Sequence, residues 1–526
     1  MKLTLNALQD KAFWQERGYQ LPLYDIPRVR AATLTTPRWL HLGAGNIFRA
    51  YLANLQQTLL NNRDTETGII VAEGFDAEII DKAYQPYDNL SIFVRLKGDK
   101  SLDKIIIASI VEALTMQGDM ERLRKIAAAP SLQMISLTIT EKGYHIKDRE
   151  GAYYPDVAAD FTQGTAYPQS YIGKIVALLL ARWQAGGEPI AMVSMDNMSH
   201  NGEKLHAVIL EFAHAWQEHG HVDGDFVSWL DSGKVSFPWS MIDKITPRPD
   251  DGVAARLKED GVDDIGGVVT TKNTYVAPFV NAEELEYLVI EDDFPNGRPP
   301  LEKAGVLFAD RDTVNKVETM KVTTCLNPVH TALAIFGCLL GHTSIHEEMQ
   351  DTELNKLARA VGYAEGLPVV VDPKILAPKQ FIDEVIEVRL PNPFIPDTPQ
   401  RIATDTSQKL AIRFGQTIKA HGQDASKLVA IPLVLAGWCR YLLGIDDDGN
   451  SFVCSPDPLL SKVKEKLAGV KLGSTELGDV KELLSDQTIF GVDLYHVGLG
   501  EKIEGYLREM LAGNGAVRAT LKKYLA

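Results

Sequence analysis

At 526 residues, 45% of them hydrophobic and 24% charged, the chain has room for two large domains and the composition of an ordinary soluble protein. A formal charge of −16, with no basic run or interleaved aromatic patch, argues against nucleic acid as a partner. No stretch approaches eighteen unbroken apolar residues, the N-terminus lacks a signal-peptide pattern, and the four cysteines have no paired spacing. The expectation is a cytoplasmic protein with no membrane span, disulfide framework or metal site.

The first informative element is a short apolar strand, Trp39–Leu42, that runs into Gly43-Ala44-Gly45-Asn46-Ile47-Phe48-Arg49. Helical spacing follows at Ile47, Phe48, Tyr51, Leu52, Leu55, Leu59 and Leu60. Strand, tight glycine turn and helix start make the first half of a dinucleotide site, because the glycines let the backbone approach a pyrophosphate seated on free N–H groups. The third glycine of the usual fingerprint is missing, and Phe48 stands in its place. Arg49 has two readings, a contact to the cofactor phosphates or a tie from the first helix to a carboxylate. The next strand, Gly68–Ala72, ends at Glu73, an acid placed to bond ribose hydroxyls and repel a 2′-phosphate. Asp76 is its rival. If either acid holds the ribose, the cofactor is NAD rather than NADP.

Strands at Gln133–Ile139 and Ile190–Ser194 then alternate with helical patterns at Gln117–Ala128, Gln169–Gln184 and Lys204–Glu218. This alternation reads as an α/β domain with a mainly parallel sheet. Ile105–Leu114 looks like one further strand, and the Gly233–Pro249 and Gly266–Phe279 regions read as irregular or short-strand segments. The turn cluster Asp292–Pro300 is the best boundary, dividing the chain into a Rossmann-like domain over 1–295 and a mostly helical domain over 296–526. Helical patterns in the second part are Val314–Leu340, His346–Val361, Pro378–Val388, Ser407–Ala420, Leu428–Leu443, Pro456–Leu467 and Lys502–Tyr524. A cleft between the two parts is expected.

Within the second part, Lys321, Asn327 and His330 bring a cation, an amide and an imidazole into an otherwise apolar run. A buried lysine is costly unless it is paired or neutral, and a neutral one is a ready general base. The plain alternative is a helix whose polar residues hydrogen-bond loops or face solvent.

These segments together resemble the long-chain, polyol-specific, metal-independent dehydrogenases, a family that includes mannitol 2-dehydrogenase, fructuronate reductase (mannonate oxidoreductase) and tagaturonate reductase. The resemblance runs from Trp39 to about Tyr441. It rests on Gly43–Arg49, Ser136–Tyr144, Ser194–Gly202, Met241–Pro247, Val289–Phe294, Lys321–His330, and Arg389–Asn392 with Arg401–Asp405, all in family order. It implies that Lys321 exchanges a proton with the reacting oxygen, its pKa drawn from about 10.4 toward about 7–8 by desolvation. Asn197 and Asn327 would donate hydrogen bonds to that oxygen, His330 would bond a substrate hydroxyl, and Asp243 would contact further hydroxyls. Hydride transfer would belong to the nicotinamide of NAD.

Three departures from the family pattern stand out. Mannitol-type members space the lysine and asparagine five apart, whereas Lys321 and Asn327 are six apart. On a regular helix Lys321 and His330 would then face roughly 180° apart, and a one-residue bulge would bring them to about 80°. A π-type bulge or non-helical start is therefore expected in Val322–Leu326. Lys142 replaces a glycine and would suit a substrate carboxylate, or be a plain surface lysine; Arg389 is another candidate anion clamp, or a bridge between helices. Ala277 stands where many relatives have glutamate, and Asn281–Tyr287 is an atypical insertion.

The expected function is therefore a metal-independent NAD-dependent oxidoreductase acting on a ketose-type sugar acid and its aldonate, of the fructuronate–mannonate kind, in a monomer or small homo-oligomer. Within the class the alternatives are a mannitol 2-dehydrogenase-like or tagaturonate reductase-like enzyme. Outside it, the alternative is a nucleotide or sugar sensor without turnover.

Overall fold

Six apolar segments of the first part form one parallel sheet: β1 (Trp39–Leu42), β2 (Ile69–Glu73), β3 (Ile110–Thr115), β4 (Met134–Leu137), β5 (Ile190–Ser194) and β6 (Val235–Ser236). In the computed structural model, which describes residues 1–525, their spatial order is β3-β2-β1-β4-β5-β6. Every neighbouring pair is parallel. All residues of β1, β2, β4 and β5 are buried, as a sheet covered on both faces requires. Alternate side chains feed two separate cores. Leu40, Leu42, Ile70, Ile135 and Met192 join one with the helices Met120–Ala128 and Tyr171–Gln184. Trp39, Ile69, Val71, Met134 and Val193 join the other with the helix that follows β1. The strand order is that of doubly wound dinucleotide folds, and it reverses between β1 and β4, where such sheets bind ligands.

The apolar run Ile105–Leu114 is not one strand. Leu102–Ile107 pairs antiparallel with Ser91–Leu96 in a second sheet, while β3 begins at Ile110 and pairs with β2. The break is held from outside the run: Ala108 N–H donates to Gln57 Oε1 at 3.0 Å, and Ser109 Oγ donates to the Ala53 carbonyl at 2.6 Å. Both partners sit on the helix Ala53–Asn62. Short strands do occur at Ser240–Asp243, Val268–Val269 and Tyr275–Val276.

The chain divides into compact units Met1–Asn315 and Lys316–Ala526. The division falls beyond the Asp292–Pro300 turns because Leu307–Ala309 still pairs in parallel with Tyr287–Glu291. The second unit is helical, around Asn327–Leu339 and Ala430–Tyr441, the latter buried at every position. Helices apolar on all sides belong in a core. The helical run Arg311–Leu339 is long and apolar enough to cross a membrane, but 78% of its most apolar window is buried within the protein. The His346–Val361 pattern breaks at Asp351, whose carboxylate caps the second piece by accepting from the Glu353 and Leu354 N–H groups. Lys502–Tyr524 also splits, into Gly500–Met510 and Ala516–Tyr524, and Pro456–Leu467 keeps only Leu460–Glu465.

Glu348 in this unit is fully buried over Gly337, and neither carboxyl oxygen has a hydrogen-bond partner among the described residues. Burial pushes its carboxyl well above the usual range, with Asp351 and Glu347 acting in the same direction. A raised carboxyl favours folding while protonated, so its contribution is present at acid pH and is lost as pH rises above the unfolded value. Glu348→Gln, which stays neutral, should leave the melting temperature unchanged near pH 4 and raise it by about 2–4 °C at pH 8 for each kcal/mol recovered. Equal melting curves at both pH values would contradict the protonated assignment.

Candidate active site

The turn after β1 is built for close approach. Gly43 has φ +108°, and a Cβ there would lie 2.2 Å from the Thr138 carbonyl oxygen at the end of β4. A Cβ on Gly45 would meet nothing within 4 Å, so that backbone edge stays open for a phosphate. The first-turn N–H groups of the helix that starts with Asn46 and Ile47 lack intrahelical partners by geometry. Phe48 explains the missing third glycine: its ring stacks on His41 at 4.4 Å and 7°, filling the space between helix and strand. His41 is held by Ser136 and Thr138 hydroxyls at 2.6 and 2.9 Å, and burial pushes its pKa down to about 3. The helix itself opens with a π-turn, Phe48–Leu52. Arg49 binds neither a carboxylate nor an exposed surface. It is 1% exposed and donates to the Ala277 carbonyl at 2.7 Å and to Asn46 Oδ1 at 3.1 Å.

Glu73 and Asp76 are both buried, and both are already engaged. Glu73 Oε2 accepts from Ala44 N–H at 2.8 Å, and Oε1 accepts from Phe75 and Asp76 N–H at 2.7 and 3.1 Å. It thereby ties the glycine turn to the end of β2. Asp76 Oδ2 accepts from Thr270 Oγ1 at 2.6 Å.

Asn197 is exposed in the loop after β5, and the residues around it are strongly braced. Asp196 accepts from Ile139 and Thr140 N–H and from Tyr144 Oη, all within 2.9 Å. The fully buried Asn201 amide donates to the carbonyls of Ser194, Asp196 and Ser240, and its oxygen accepts from Gly202 and Ser240 N–H. Asn201 and Tyr144 lie inside the sequence motifs, where nothing in the local pattern marks their supporting roles. Lys142 is exposed in the 3₁₀ turn Glu141–Tyr144. Asp243 is buried at the end of its strand, opposite Tyr287. The phenol of Tyr51 is raised well above its usual range by burial, with Glu286 and Asp243 adding to the effect.

In the second unit, Lys321 is 2% exposed and opens a π-turn, Lys321–Cys325. The Leu326 N–H donates to the Lys321 carbonyl at 3.1 Å, the wide turn that the lysine–asparagine spacing demands. The α-helix resumes at Asn327, which is half-buried, with Pro328 next in line. His330 Nε2 lies 3.4 Å from Asp397 Oδ2. Burial lowers the His330 pKa and Arg413 and Arg401 add to this, against the pull of Asp397, so the imidazole is neutral at neutral pH. Asp397, itself 6% exposed and paired with Arg401, faces the ring; no local pattern in the sequence pointed to it. Arg389 is buried at the end of another π-turn, Val385–Arg389, where its charge partly offsets the burial of Glu384.

The first unit is a doubly wound sheet with an open glycine turn, and the second carries a buried lysine on a widened helical turn; each is a feature of nicotinamide-dinucleotide oxidoreductases. The mannitol dehydrogenase Rossmann domain matches residues 37–303, and the mannitol dehydrogenase C-terminal domain matches 313–511. The chain belongs to the mannitol dehydrogenase family. It is 51% identical to a D-mannonate oxidoreductase of Thermotoga maritima, over 99% of each chain. Among solved structures it resembles a D-sorbitol dehydrogenase in substrate-free form, with TM-score 0.82 and 26% identity over 99% of this chain and 100% of that one. It also resembles Pseudomonas fluorescens mannitol 2-dehydrogenase in a ternary complex with NAD and D-mannitol, with TM-score 0.71 and 26% identity over 100% and 99% of the two chains.

Proposed function

We propose that this oxidoreductase uses NAD to interconvert a ketose-type sugar acid and its aldonate, with fructuronate and mannonate as the pair. The observation that carries the substrate class is the 51% identity, over the full chain, to a D-mannonate oxidoreductase. NAD is preferred to NADP because Glu73 and Asp76 put two buried carboxylates at the end of β2, where a 2′-phosphate would be repelled.

The coenzyme, when bound, supplies or accepts the hydride. The chain handles the proton and the alignment. In the reducing direction the Lys321 ammonium gives its proton to the carbonyl oxygen as the carbon receives hydride, leaving an alcohol and a neutral amine; oxidation reverses both transfers. The burial of Lys321, at 2% exposure, is consistent with a group kept out of bulk solvent. Asn197 and Asn327 donate to the same oxygen as it becomes negative. Neutral His330, facing Asp397, offers one ring nitrogen to a substrate hydroxyl, and Asp243 accepts from another. Arg389 and Lys142 are the cations available for the substrate carboxylate.

The exposure of Lys142 favours a second reading, a neutral polyol as substrate. NADH oxidation with fructuronate, tagaturonate and fructose, followed by absorbance, separates the two. Fructuronate should turn over fastest. Activity with fructose alone would replace the sugar acid by a polyol, and no turnover with any ketose would point to a sensor.

A further inference from the structure

Phe75 follows the end of β2 by two residues and is 63% exposed, an unusual position for a phenylalanine. Its backbone is fixed on both sides. The N–H donates to Glu73 Oε1 at 2.7 Å, and the carbonyl accepts from Lys272 Nζ at 2.5 Å. The same ammonium lies 4.5 Å from the ring centroid, covering one face as a cation–π contact. Lys272 sits at the tip of the hairpin that pairs Val268–Val269 with Tyr275–Val276. That hairpin is tied to the Phe75 loop twice more, by Thr270 on Asp76 at 2.6 Å and by Thr271 N–H on Glu78 at 3.1 Å.

An aromatic ring is thus held beside the carboxyl end of the second strand, one face backed by a cation and the rest open. With this strand order the adenosine half of a dinucleotide lies over that strand end, its ribose near the acid that closes β2. Glu73 spends its carboxylate on three backbone N–H groups of the same two turns. It positions the loop and offers no surface to a base. The exposed flat surface of this loop is Phe75.

We propose that Phe75 is the platform on which the adenine ring of the coenzyme stacks, and that Lys272 holds this platform in place. The proposal rests on the reading of the first unit as the dinucleotide domain, and is independent of the sugar. It is tested by fluorescence titration of NADH and NADPH and by displacement with 5′-AMP. Base–aromatic stacking is worth about 1–3 kcal/mol, so Phe75→Ala should weaken all three by a common factor of about 5–150. Phe75→Trp should restore affinity, and the melting temperature should not move, because the side chain is exposed. Unchanged dissociation constants in Phe75→Ala would overturn the proposal, as would a loss of affinity accompanied by an equal loss of thermal stability. A parent protein that binds NADPH more tightly than NADH, with the Phe75 factor still common to both, would support the platform while removing the choice of NAD.

Discussion

Lys321→Ala should lower turnover by about 10²–10⁴-fold if Lys321 is the proposed proton carrier, the range over which a positioned acid–base group acts, and should leave the dissociation constant for NADH within about twofold of the parent. Lys321 is 2% exposed at the start of a π-turn, and alanine removes its amine while leaving the backbone of that turn in place. The glycine turn belongs to the other compact unit and keeps its geometry. Steady-state kinetics with a fluorescence titration of NADH measures both halves of the expectation. A variant that keeps most of its turnover would move the proton carrier elsewhere, and one that loses NADH binding as well would make Lys321 a structural residue.

Gly43→Ala is the second large effect, and it acts on the coenzyme and the fold together. The new Cβ would lie 2.2 Å from the Thr138 carbonyl oxygen, and φ is +108°, where side chains are strained. The Gly43 N–H is also bonded to the Ala72 carbonyl at 2.8 Å, so the turn cannot swing away without releasing β2. Thermal stability should fall by several degrees, at about 2–4 °C per kcal/mol, and NADH affinity by more than about tenfold, or 1.4 kcal/mol. Gly45→Ala is the control. Its Cβ meets nothing within 4 Å, so the fold should hold while the methyl group intrudes on the space kept for the pyrophosphate. Equal stability losses in the two variants, or unchanged NADH affinity in both, would remove the phosphate-cradle assignment.

What the sequence made legible follows from where the physical cause lies. Strands buried on both faces are uninterrupted apolar runs, so β1, β2, β4 and β5 stand out locally. The π-turn was legible because three polar residues on one helix obey simple angular arithmetic, and Lys321–Cys325 takes up the extra residue. Causes that arrive from far along the chain were not legible. The Ile105–Leu114 run carries no glycine or proline, and its break is held by Gln57 and Ala53 from a helix some fifty residues earlier. Glu73 reads as a ribose ligand, and its bond to the Ala44 N–H, 29 residues before it, which ties the glycine turn to β2, is not visible in the sequence. Arg49 reads as a phosphate or carboxylate partner, and its bond to the Ala277 carbonyl across 228 residues has no sign in the local sequence. Asp397 meets His330 only through the fold, so the group that faces the imidazole left no pattern beside it.

The dependence of kcat/KM for alcohol oxidation on pH, compared between the parent and Lys321→Ala, bears most directly on the proton-carrying amine. Oxidation needs the amine neutral, so the parent profile should rise through one ionisation lying between neutrality and the ordinary lysine value of about 10.4. Ketone reduction should show the mirror-image fall, and the alanine variant should lack that ionisation in both directions. A parent profile that stays flat across the interval, or the same ionisation persisting in the variant, would contradict the account.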